Sequence, residues 1–160
     1  MPDSAIAPVR AVVDVNLLVR GILSSKGGSA TLIHALKQGM FVPIASRPYL
    51  QEIYRVLGYP RLLRRYPISD KQRQRLIAQI YNRAIWVEPT NRLSLCRDPH
   101  DDYLLEMALL GRASYLVSED GDLQDDLDII LFLAQRGIHL LRLGGFLAVL
   151  RRNEIPGNQL

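Results

Sequence analysis

The sequence has a single cysteine, Cys96. That excludes an internal disulfide framework and fits a reducing compartment, with the cytoplasm as the default expectation. Histidine is nearly as scarce: His34, His100 and His139 lack the paired spacing of a zinc site. Cys96 has no adjacent base and reads as inert, and His34, among apolar helix residues, reads as a core or boundary side chain. No apolar run reaches the roughly 18 residues a membrane span needs, and MPDSAIAPVR lacks the basic-then-apolar order of a secretory leader. The expectation is one soluble domain over 1–160, with its core at about 9–150 and loose termini including the tail NEIPGNQL. Lysine is restricted to Lys26, Lys37 and Lys71, so the positive charge is carried mostly by arginine. Guanidinium suits bidentate phosphate contacts better than ammonium does.

What is present is charge sorted by position. Arg47 to Arg83 holds nine basic residues against two acids, Glu52 and Asp70, a local balance of +7. Asp98 to Asp128 holds ten acids against Arg112 alone, a balance of −9. With a net charge of +4 and a pI near 9.5, a polyanion such as nucleic acid is the natural partner class. An arginine-rich helix is about as often just a solvated face.

Strand-like and helix-like stretches alternate. Val9–Val13 reads as a valine-rich strand, Phe41–Ala45 as a second, Ile85–Val87 as a third, Ala113–Val117 as a fourth, and His139–Arg142 as a fifth. Between them, Ser29 looks like the N-cap of ATLIHALKQG, and Pro48 sits in the first turn of a helix with Leu50, Ile53 and Leu57 inward. Ser69 or Asp70 caps KQRQRLIAQIYNRA, and Asp101–Leu110 is apolar almost all round, so it should be packed on most sides. Leu127–Arg136 and FLAVLRR complete the set. The alternation predicts an α/β fold with a mostly parallel central sheet and helices on both faces.

Ligands of such sheets bind outside the carboxyl ends of the strands. Asp14 directly follows strand one, inside the apolar run VRAVVDVNLLVRGIL, where an unpaired buried charge costs several kcal/mol or more. Asp120 follows strand four by three residues, Asp102 lies in the first turn of its helix, and Glu52 flanks the apolar stripe after strand two. Taken singly, Asp101 or Asp102 is more often a helix cap and Glu52 a surface residue. Together the four acids could share one rim. Like charges roughly 4 Å apart repel by about 4 kcal/mol at an effective dielectric of 20. A divalent cation removes that conflict, and oxygen-only ligands favour Mg²⁺ or Mn²⁺ over Zn²⁺. A receiver domain would want a lysine after a late strand, and a dehalogenase would want aspartate where Asn16 stands. Trp86 and Tyr81 could stack on bases, although core packing is the commoner role.

VVDVNLLVRGIL, SRPYLQEIYRVL, DPHDDYLLEMAL and YLVSEDGDL resemble, in order and spacing, the four acidic motifs of PIN-domain ribonucleases, in particular toxins of toxin-antitoxin pairs. The likeness spans about Val9 to Leu150. It implies a Rossmann-like PIN fold and Mg²⁺- or Mn²⁺-dependent hydrolysis of RNA. It maps the family acids onto Asp14, Glu52, Asp102 and Asp120, with Asp122 as an additional acid. Asn16 and Ser118 stand where supporting residues occur, and Asp102 is favoured over its neighbours Asp98 and Asp101. Val15 replaces a common small hydroxyl residue, Glu119 stands where glycine is frequent, and Glu106 adds a like charge four residues after Asp102. The resemblance also implies a homodimer and a small antitoxin partner.

Overall fold

A strand that is apolar throughout has to be covered on both sides, and the most valine-rich segment lies in the middle of the sheet. The computed structural model describes residues 7–153. Within them the order is β1 (Arg10–Val13), α1 (Val15–Leu23), α2 (Gly28–Lys37), β2 (Val42–Ala45), α3 (Arg47–Leu57), α4 (Pro60–Arg65), α5 (Asp70–Arg83), β3 (Ile85–Trp86), α6 (Pro99–Leu110), β4 (Tyr115–Val117), α7 (Gly121–Gln124), α8 (Leu127–Ala134), β5 (His139–Leu141) and α9 (Leu143–Asn153). All strand pairs are parallel, in the spatial order β3, β2, β1, β4, β5. This is the expected α/β architecture. Apart from Asn153, the tail expected to fray lies outside the described residues.

Several sequence readings are corrected. Residues 15–23, left unassigned between strand one and the turn SSKGGS, form α1, capped by the Asp14 carboxylate, which accepts from Asn16 N at 3.1 Å. Val15, Leu17, Leu18 and Val19 are buried while Asn16 and Arg20, four residues apart, share the exposed face. The cap of α2 is Gly27, not Ser29. Gly27 has φ +92°, a conformation cheap only for glycine, so the helix starts directly after it. The short helices α4 and α7 were not anticipated either.

The helices cover the sheet through specific contacts. Gly21 lets α1 and α2 meet closely, since a Cβ there would lie 2.3 Å from Ser29 O and 2.5 Å from Ile33 Cγ1. Ser69 and Gln72 form a reciprocal capping box that starts α5. On α6, Leu104, Leu105, Met107 and Ala108 are all buried, as its apolar composition predicts. Phe41 and Phe146 meet edge to face at 5.2 Å between centroids. His34 is exposed on α2 rather than in the core. Tyr81 and Trp86 are also outside it, 61% and 43% exposed, packed edge to face on each other. No helix among the described residues is long and apolar enough to cross a membrane.

Candidate active site

The chain leaves β1 toward β2 and β3, then returns to place β4 and β5 on the other side, so the strand order reverses between β1 and β4. Ligands of open α/β sheets bind in the crevice at such a reversal. Val13 and Val117 are register partners at its floor, and the next residues out are Asp14 and Ser118. Asp14 N extends the ladder by donating to Val117 O at 2.9 Å. Ser118, fully buried, donates its hydroxyl to Asp14 Oδ2 at 2.8 Å and accepts from Asp120 N at 3.1 Å. One serine thus ties the two strand-end acids together. Burial raises the Asp14 pKa. The bonds from Asn16 and Ser118 pull against it, and the charges of Asp120 and Glu52 add to the rise.

Glu52 arrives from β2 through α3. Ser46 caps that helix by accepting from Tyr49 N at 3.3 Å, and the buried Tyr49 hydroxyl donates to Val13 O, pinning α3 against the end of β1. Burial, then the charges of Asp14 and Glu52, keep the Tyr49 phenol protonated. The Tyr103 hydroxyl on α6 donates to Glu52 Oε2. Its own proton is held by burial first and then by that bond.

The start of α6 divides the neighbouring acids by role. Asp98 caps the helix through His100 N at 3.0 Å. Asp102 is buried, and its Oδ1 accepts from Leu95 N at 2.9 Å and Cys96 N at 2.8 Å, clasping the loop before the helix. Asp101 is the residue whose carboxyl faces Asp120. Burial first, then the charges of Asp120, Asp98 and Asp14, push its pKa up to about 7. Its Oδ2 is buried without a hydrogen-bond partner. Cys96 lies against Asp102, and burial raises its thiol pKa, in keeping with an inert side chain. Asp122 is exposed and donates its N–H to Asp120 Oδ1 at 2.9 Å, and it borders a hollow that Asp120 also lines, together with Arg97, Asp125 and Asp126.

The crevice at the strand ends is a cleft of about 160 Å³ lined by Asp14, Asn16, Leu17, Arg20, Glu119 and Asp120. A larger cavity of about 550 Å³ is bordered by Glu52, Asp102, Tyr103 and Glu106 and extends along Pro48, Asn91 and His100. His100 stands in the first turn of α6.

Three supporting residues were not anticipated. Nothing in the sequence singles out Tyr49 or Tyr103 or marks a role for their hydroxyls. Glu106 read as a strained like-charge neighbour of Asp102, yet its carboxylate accepts from the N–H groups of Thr90, Asn91, Arg92 and Leu93 and from the Thr90 hydroxyl. Burial opposes its ionisation, but those four N–H groups hold its pKa below the usual range. Glu119 accepts from Leu143 N at 2.8 Å at the start of α9 and pairs with Arg142 at 3.3 Å, so its extra charge is answered locally.

Among the described residues, no three carboxylate, histidine or cysteine side chains converge closely enough to hold one ion. The donor chemistry nevertheless fits a hard divalent cation: the group is all oxygen, Asp14 and Asp101 both resist ionisation, and Asp101 Oδ2 is an orphaned acceptor.

A parallel sheet wound both ways from β1, with carboxylates gathered at its reversal, defines a Rossmann-like α/β domain of nuclease type. The chain belongs to the PIN domain family, whose model matches residues 10–122, from β1 into α7. PIN domains are generally nucleases that act on RNA and use divalent metal ions. No curated protein and no solved structure matches the chain.

Proposed function

We propose that this chain hydrolyses RNA phosphodiester bonds with Mg²⁺ or Mn²⁺ held by Asp14, Glu52, Asp120 and Asp101. The carrying observation is the Ser118 bridge, which links the Asp14 carboxylate to the Asp120 backbone just beyond the adjacent strands β1 and β4 at the reversal point, with Asp101 facing them. In this reading Asp101 takes the place that sequence reasoning gave to Asp102, because Asp102 Oδ1 is already spent on two backbone donors. Asp122 shares a hollow with Asp120 and is kept as the additional acid beside this set.

A bound divalent cation would supply a water acidic enough to attack phosphorus in line. The chain's own groups hold the geometry for it. Ser118 fixes Asp14 Oδ2, Tyr103 fixes Glu52 Oε2, and Asp102 and Glu106 hold the adjoining wall. Asn16, exposed on the first turn of α1, lines the cleft and is placed to meet substrate or metal-bound water. The exposed Arg61, Arg64, Arg65, Lys71 and Arg75 on α4 and α5 supply the cations that a polyanion needs. Arg55 and Arg65 lie over the rings of Tyr59 and Tyr66, both at 5.5 Å, which interleaves aromatic faces with the charge.

The test is cleavage of a labelled single-stranded RNA with Mg²⁺ or Mn²⁺. It should vanish in EDTA and fall by about a hundredfold or more in Asp14→Asn and Asp101→Asn, on the scale of lost charge stabilisation at a reacting centre. Equal cleavage in EDTA overturns the reading. If Asp102→Asn abolishes activity at unchanged stability while Asp101→Asn does not, the third ligand is Asp102. A second reading, an RNA- or protein-binding module without turnover, is favoured by the absence of three converging ligands among the described residues. It predicts RNA binding with no metal-dependent product. On family grounds the proposal extends to a homodimer and to the toxin role with a small antitoxin partner. Sedimentation of the purified chain and co-purification with a co-expressed small neighbouring gene product test these two points.

A further inference from the structure

We propose that Arg20, Lys26 and Tyr66 form a subsite for a backbone phosphate of single-stranded RNA, immediately beside the acidic cleft. The inference rests on the RNA reading above and deepens it. A cavity of about 460 Å³ lies between the α1–α2 loop and the end of α4, and Arg20, Ser24, Lys26, Ser29 and Tyr66 are among its walls. No carboxylate lines it. Arg20 also lines the cleft that holds Asp14 and Asp120, so the two spaces share a wall made by one guanidinium. Arg20 and Lys26 are exposed, and neither takes part in an ion pair among the described residues.

The charge arrangement calls for such a site. A phosphodiester brought to the acids meets several negative charges, and the strand on either side of it repeats the anion. Cations flanking the cleft offset that repulsion, and guanidinium binds phosphate oxygens in a fork. Arg20 projects from the face of α1 that also carries Asn16. The walls are held in place: the close approach of Gly21 to Ser29 fixes α2 against α1, and Ser24 Oγ donates to Lys26 O at 2.9 Å. Tyr66, 38% exposed with Arg65 over its ring, offers a face on which the neighbouring base can stack.

The experiment measures equilibrium binding of a fluorescein-labelled 12-nucleotide single-stranded RNA by anisotropy, in Ca²⁺ buffer across a salt series, so that no turnover is involved. The comparison variant is Arg112→Asn/Arg136→Gln. It removes the same charge from the loops before β4 and β5, at the amino ends of those strands, whereas the acidic crevice lies at the carboxyl ends. Arg20→Ala/Lys26→Ala should weaken binding about tenfold at low salt and flatten the slope of log K against log salt by about 0.7, the value for one phosphate of a single strand. Tyr66→Ala should weaken binding without changing the slope. Equal affinity and slope in the Arg20/Lys26 variant and the comparison variant overturn the proposal. Displacement of the RNA by millimolar inorganic phosphate at constant ionic strength overturns it too, since that marks a free-anion site. RNA that binds in the proposed manner but is never cut would refute the hydrolase reading and leave this subsite standing.

Discussion

Replacing Glu106 with glutamine tests whether the loop beside the cleft is held by a single charge. In the native chain Oε1 accepts from Arg92 N at 2.8 Å, Leu93 N at 2.9 Å and the Thr90 hydroxyl at 3.2 Å, while Oε2 accepts from Thr90 N at 2.7 Å and Asn91 N at 3.1 Å. Glutamine keeps the shape but turns one oxygen into a donor. Whichever way the amide is turned, its nitrogen faces two backbone N–H groups and leaves both without an acceptor. An unsatisfied buried donor costs about 1–3 kcal/mol, and loss of the charge weakens the remaining bonds. The side chain borders the 550 Å³ cavity, where water can soften the penalty. The expected loss is therefore in the lower half of that sum, about 3 kcal/mol. With a urea slope of roughly 2 kcal/mol per molar, the unfolding midpoint should drop by about 1.5 M.

A pH series checks the cause. The folded-state pKa of Glu106 is depressed, so its stabilisation is fully present above the ordinary glutamate pKa of about 4.3 and is lost as pH falls through the lower folded value. The stability gap between wild type and Glu106→Gln should therefore close in acid. A midpoint shift under about 0.3 M, or a gap that stays constant into acid, refutes the clasp as a charge effect.

Two further outcomes follow from the same contacts. Gly21→Ala places a Cβ 2.3 Å from the Ser29 carbonyl, a backbone atom that cannot swing away, so the usual helix gain of about 1 kcal/mol should be reversed to a net loss of about 1–3 kcal/mol in urea unfolding. A stabilised variant would refute the close approach of α1 and α2. Asp101, pushed up to about 7, keeps its proton in the fold where the unfolded chain has lost it. Metal-free stability should thus fall as pH rises from the ordinary aspartate value of about 3.9 toward 7, and then level off. Mn²⁺ needs the ionised form, so its thermal stabilisation should be larger at about pH 8 than at about pH 5.5. Equal or reversed shifts would remove Asp101 from the site.

Much of this architecture was legible because the signals are short-range. The valine run of β1, the Ser69 cap, Pro48 in the first turn of α3 and the apolar interior of α6 each announce themselves within a few residues. Helix α1 was hidden because its core face is four apolar residues among other apolar residues, so neither period stands out, and its glycine reads as a breaker until the contact with Ser29 is seen. Asp14, Glu52 and Asp120 could be selected from their places after strands and on a helix flank. Sequence alone cannot separate Asp101 from Asp102, because adjacent residues on a helix differ by about 100° in direction and the packing angle of α6 sets what each one meets: Asp120 for Asp101, the Leu95 and Cys96 N–H groups for Asp102.

The acids of this chain separate by whether the protein answers their charge. Glu106 has four backbone N–H groups, Asp102 has two, Glu119 has Arg142 and the first N–H of α9, and Glu52 has the Tyr103 hydroxyl. Asp14 is the opposite case. It receives two hydrogen bonds, yet burial and the charges of Asp120 and Glu52 still raise its pKa. Asp101 is pushed up to about 7, and its Oδ2 is buried without a hydrogen-bond partner. A fold that satisfies Glu52, Asp102, Glu106 and Glu119 could have satisfied these two with a lysine or another backbone turn. Instead the conflict is left at the one place where the strand order reverses and ligands enter. Such a pair of acids costs stability in the metal-free chain, and in the proposed metal-dependent reading a divalent cation joining them would offset that cost.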